Sequence, residues 1–168
     1  TGDDIVFTSS VDGAQQLTLD AGAAAATVTG NVGSTTSVAS FTIAAAEQVD
    51  LGSVTSSGAI SINATNTDLN STNYQSAGGA VSVAGSVDLM AGSPITITSG
   101  SGNDISVAGT IDGTPALTLS AGTGAVSLSS AVGANTPPTS FTISAAAQAD
   151  LGSVTSAGAL DVTATAID

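Results

Sequence analysis

Four aspartates each precede a large aliphatic residue in this chain: Asp50-Leu51, Asp68-Leu69, Asp88-Leu89 and Asp104-Ile105. They recur at near-equal intervals, which suits one occurrence per turn of a coiled β structure. If the aliphatic residue points inward, its neighbouring Asp points outward. The carboxylates would then stand in a column about 5 Å apart, repelling by about 0.8 kcal/mol per pair in bulk water. A divalent cation bridging adjacent turns would relieve that repulsion. Ca²⁺, which takes carboxylate and carbonyl oxygens, is the candidate ion, with Asp50, Asp68, Asp88 and Asp104 as its expected ligands. The competing reading is a solvated acidic stripe that keeps the surface soluble and discourages lateral sticking.

Little other chemistry is available. The chain has no Lys, Arg, His, Cys or Trp, and 13 acidic residues give it a formal charge of −13. Without cationic side chains it cannot neutralise phosphates, which excludes nucleic-acid partners and attraction to anionic lipid. Without His, Lys or Cys the common bases and activated nucleophiles are missing. Asp3-Asp4 does not form a glycosidase pair, because adjacent strand residues point to opposite faces. No enzymatic activity is expected. Gly100-Ser101-Gly102-Asn103-Asp104, with Thr1-Gly2-Asp3-Asp4 as its counterpart, resembles half of a calcium-binding nonapeptide. Standing alone, it reads as a turn entering a strand. Thr-x-Thr pairs at Thr27/Thr29, Thr96/Thr98 and Thr163/Thr165 do not recur every turn, so no flat threonine array is expected. Tyr74 and Met90 read as packing residues, and the sequons at Asn63 and Asn70 as chance matches.

The elements that would position these residues follow from a repeat. Residues 1–68 reappear at 101–168, in register at an offset of 100 and with roughly half the positions identical. Asp50-Leu51-Gly52-Ser53-Val54-Thr55-Ser56 returns unchanged at Asp150–Ser156. The chain reads as one continuous segment, 1–168, with a first repeat at 1–100 and a partial second at 101–168, excerpted from a longer array.

Apolar-x-apolar triplets mark strands at Leu17/Leu19, Phe41/Ile43, Ile60/Ile62, Val81/Val83, Ile95/Ile97 and Leu117/Leu119. The steps between them are uneven, the shortest being from Val81 to Ile95, and average about 20 residues. If each step is one turn, a repeat holds about five turns. Further strand signals lie at Ile105/Val107, Val126/Leu128 and Leu160/Val162. All four prolines (Pro94, Pro115, Pro137 and Pro138) fall at breaks or strand starts. Units of about 20 residues are too small to bury a core alone, but wound into a coil each pairs with its neighbours. The expected fold is all-β, a right-handed parallel β-helix. An array of β-sandwiches is the alternative, disfavoured because three Phe and one Tyr are few for sandwich cores.

The succession Val11-Asp12-Gly13, Leu17-Thr18-Leu19, Ser40-Phe41-Thr42-Ile43 and Asp50-Leu51-Gly52-Ser53-Val54-Thr55-Ser56 resembles the repeats of giant bacterial exoproteins, filamentous-haemagglutinin-like adhesins and related β-strand-repeat proteins. The resemblance implies a secreted, surface-displayed shaft that serves in cell adhesion or builds an extracellular filament. Its partners would be like rungs, end to end or side by side, and a host or cell surface reached through regions outside this segment. The other class considered is a cation-dependent surface-layer or biofilm-matrix binding protein. No membrane insertion is expected, since no apolar run approaches the ~20 residues that a spanning helix needs.

Overall fold

Alternating apolar and polar residues leave each short strand with one face to bury, and a single turn cannot bury it. The computed structural model, which describes residues 2–168, shows how stacking solves this. Among these residues there is no helix, and sixteen strands form one parallel sheet. The sheet winds through about 8 turns spaced about 21 residues apart, a right-handed parallel β-solenoid. Thr1, the first residue of the nonapeptide-like counterpart, lies outside the described residues.

Each turn crosses three faces in the order A, C, B. The inward residues of face A stack as Ile5, Ala26, Val49, Thr67, Val87, Ile111, Val132 and Val154. Face C stacks Val11, Val32, Val54, Tyr74, Ile97, Leu119, Ile143 and Val162. Face B stacks Leu17, Phe41, Ile60, Val81, Ile105, Val126, Ala149 and Ile167. These columns form one continuous apolar core, with Phe41, Phe141, Ile43 and Ile143 fully buried. Every turn bonds its backbone to the next, so the strand edges inside the stack are paired.

Corners depend on residue size. Ser40–Leu51 and Ile60–Leu69 run unbroken from face B to face A, and their mutual register shifts between Ile43 and Ala46, where small alanines take the bend. Other corners use glycine where backbones close on one another. A Cβ at Gly109 would strike the backbone of Gly85 one turn earlier, and a Cβ at Gly85 would strike Ala64 and Thr65. No proline lies within a strand.

The triplets are strands, but they do not count turns one for one. Leu17, Phe41, Ile60 and Val81 share face B, whereas Ile95 and Leu117 lie on face C. The short step from Val81 to Ile95 is therefore a passage from face B across A to C, less than a full turn. The sequence figure of about five turns per repeat becomes four turns and two further faces.

Candidate interaction surface

Face A carries the expected carboxylate column with one member exchanged. Asp50 pairs in register with Asp68, Asp68 with Asp88, and Asp88 with Asp112. Four consecutive turns thus place an Asp at one site, while Leu51, Leu69 and Leu89 beside the first three are buried. Asp104 is not in the column. Its neighbour Ile105 is buried, but on face B, and the exposed Asp104 carboxylate accepts the backbone N–H of Ala125 at 2.8 Å. Asp4 does the same for Ala25 at 3.0 Å in the first copy. The reason is turn length. From Asp88 the chain must pass Asp104 and run on to Asp112 before it regains the same site on face A, so Asp104 falls short of a full turn.

The half-buried part of the column is organised by amides. Two residues before each Asp, on the same outward side, stand Gln48, Asn66 and Ser86, also in register. Asn66 Nδ2 lies 3.0 Å from Asp68 Oδ1, 3.1 Å from Asp88 Oδ2 and 3.2 Å from Gln48 Oε1, so its two N–H groups are shared among three acceptors. Thr27 Oγ1 donates to Asp50 at 3.2 Å and closes the column at its lower end. Asp68, between two like charges, has its proton affinity raised. Burial is the main cause, with the charges of Asp50 and Asp88 adding to it and hydrogen bonds from Gln48 and Asn66 opposing it.

Asp112 ends the column in a different role. Its Oδ1 accepts the backbone N–H groups of Asn135 at 2.8 Å and Thr136 at 2.9 Å, and its Oδ2 accepts the Asn135 side chain at 3.2 Å. Burial pushes its pKa up, but these hydrogen bonds outweigh burial and leave it below the ordinary 3.8. Asp12 anchors the equivalent loop of the first copy through Thr35 and Thr36, and those bonds lower its pKa too. Both aspartates tie down the longest loop of their repeat, a role the sequence reading missed. The Asp12-Gly13 and Asp112-Gly113 pairs, each about a turn before a Gly/Ser/Thr/Pro-rich break, were the available signal. Among the described residues, no three acidic side chains converge to hold a metal ion.

Other singled-out residues find plain roles. Tyr74 is buried; its hydroxyl donates to the Leu51 carbonyl at 2.9 Å and accepts from the Ser71 N–H at 3.1 Å, and burial pushes its pKa well up. Met90 is not a packing residue: it is 59 % exposed, because it sits just past Ser86–Leu89 where the chain leaves face A. Gly100–Asp104 is a turn closed by the Asn103 N–H on the Gly100 carbonyl at 2.8 Å, with Gly102 at a φ of 82°. Asn63 and Asn70 are exposed and donate to the carbonyls of Ala44 and Asp68. Hydroxyls do recur through six consecutive turns on face B, where Thr18, Thr42, Ser61, Ser82, Ser106 and Ser127 stack outward before Asp150 takes the next place. A search for Thr-x-Thr overlooks this column because it mixes Ser with Thr.

One open groove of about 280 Å³ lies beside these surfaces, lined by Pro94, Pro115, Ala116 and Thr139. It contains no titratable group. No protein-family model, curated protein or solved structure matches this chain.

Proposed function

We propose that this segment is structural: a length of shaft in a secreted, surface-displayed bacterial adhesin or extracellular filament. The observation that carries the reading is a core and a backbone ladder that run without interruption through every turn, which lets length grow with repeat number. The acidic surface supplies solubility, and the absence of Lys and Arg leaves no site for trypsin-like proteases. The sequence resemblance to filamentous-haemagglutinin-like repeats points to the same role. No enzymatic activity belongs to it. Immunogold microscopy of intact producing cells tests it: label should follow filaments outside the cell, and label confined to the interior would contradict it.

Self-association is part of the proposal. Ile60 and Thr67, each covered by a further turn, are 1 % and 0 % exposed. A like rung of another copy would cover a rung in the same way.

A second reading, cation-dependent surface-layer or biofilm-matrix binding, is favoured by the stacked Asp50, Asp68 and Asp88 and by the raised proton affinity of Asp68. Under this reading Ca²⁺ bridges neighbouring carboxylates and relieves their mutual repulsion. Thermal unfolding with and without millimolar Ca²⁺ separates the two. A bound ion at a hundredfold excess over Kd stabilises by about 2.7 kcal/mol, whereas an acidic stripe leaves the curve unchanged.

A further inference from the structure

The two copies of the repeat do not stand in line. Ile5, Ala26 and Val49 stack on face A, whereas Ile105, Val126 and Ala149, their counterparts in the second copy, stack on face B. Val11, Val32 and Val54 lie on face C, and Ile111, Val132 and Val154 on face A. Leu17, Phe41 and Ile60 lie on face B, and Leu117, Phe141 and Leu160 on face C. All three correspondences agree: one repeat advances four turns and two of the three faces.

We infer that an array of this repeat screws its own surface around the shaft. Successive copies present the same polar features on a new face each time, and the starting face returns after three repeats, or fourteen turns. The cause lies in the stretch seen once, residues 69–100, where the step from Val81 to Ile95 stops short of a turn. The rotation does not disturb local structure, because the three faces are interchangeable: equal sequence makes equal strands and equal loops on each.

The surface already shows the first step. Gln48 and Asp68 lie on adjacent turns of face A, and their counterparts Gln148 and Asp168 lie on face B, where Gln148 donates to Asp168 at 3.0 Å. The loop anchored by Asp12 spans the corner from face C to face B, and the one anchored by Asp112 spans the corner from A to C. No side of such a shaft carries an unbroken acidic or hydroxyl stripe. Such a surface denies a parallel shaft a continuous matching face. The inference holds wherever the array is displayed.

Paired cysteines test the rotation, and the chain has no native Cys to interfere. The rotated register puts Ser106 against Ser82, with their hydroxyls 3.2 Å apart. An in-line repeat would give Ser106 the place held by Val6 on face A, one turn above Asp88. Adjacent rungs bring Cα atoms to about 4.8 Å, within disulfide range. Ser82→Cys/Ser106→Cys should therefore cross-link under mild oxidation, and Asp88→Cys/Ser106→Cys should not. Nitroxides at the same pairs give a readout independent of disulfide geometry: strong dipolar broadening for the first pair and little for the second. If a variant loses its β-sheet circular dichroism, Thr96→Cys/Thr118→Cys, adjacent on face C, takes its place. The opposite pairing, or no proximity in either rotated pair, overturns the inference.

Discussion

Thr67 and Ile167 hold the same place in the repeat and stand on different faces, Thr67 pairing with Val49 on face A and Ile167 with Ala149 on face B. Both side chains occupy inward columns. Thr67 brings into the core a fully buried hydroxyl with no hydrogen-bond partner, and its counterpart is a hydrocarbon. An unsatisfied buried hydroxyl costs about 1–3 kcal/mol. Thr67→Val keeps the shape and removes the hydroxyl, so it should stabilise the chain by about that amount. Denaturant unfolding of the variant beside the parent measures it.

Asn66 holds the carboxylate column together. Asn66→Ala deletes donors to both Asp68 and Asp88 and leaves two half-buried charges facing each other. Destabilisation of about 1–2 kcal/mol at neutral pH is expected, shrinking as the solution is acidified and Asp68 takes up a proton. Equal losses at neutral and acid pH would show that the amide does not serve the charges.

The pH profile of the parent follows from two opposite shifts. Asp68 holds its proton more tightly in the folded state, so its contribution is fully present below the ordinary pKa of 3.8 and is lost as pH rises through the higher folded value. Asp12 and Asp112 have lowered pKa values, so their stabilisation is present above 3.8 and is lost as pH falls below it. Acidification from neutral should first stabilise the chain and then, below 3.8, destabilise it as the loop anchors let go. Urea midpoints across this range check the shape, and Asp68→Asn should flatten the rise. A steady fall from neutral pH downward would contradict the assignment.

Glycine stacking at the corner between faces gives a steric prediction. A Cβ at position 85 meets the backbone of Ala64 and Thr65, not the end of a flexible side chain. Gly85→Ala should cost about 1–3 kcal/mol in thermal unfolding. Gly92→Ala, where a Cβ meets nothing, serves as the control.

Strands were legible in the sequence because alternation at a period of two is local: a buried face dictates Leu17-x-Leu19 or Ile60-x-Ile62 whatever lies above it. Register between turns is not local. Corners absorb different numbers of residues, so turns differ in length, and even spacing placed Asp104 in a column that belongs to Asp112. Asp50, Asp68 and Asp88 were found because no long corner intervenes among them. Met90 was misplaced for the opposite reason: in a stretch seen once, apolar character alone suggested burial, and the chain was already leaving the sheet.

The central claim is that this repeat builds a continuous solenoid, and the axial length added by each repeat measures it most directly. Four and two-thirds turns at about 4.8 Å per rung give about 22 Å for each full repeat. Electron microscopy of chains carrying increasing numbers of repeats should show length growing by that increment, with no beading. Growth in steps of about 40 Å, as ~100-residue globular domains strung end to end would give, would contradict it.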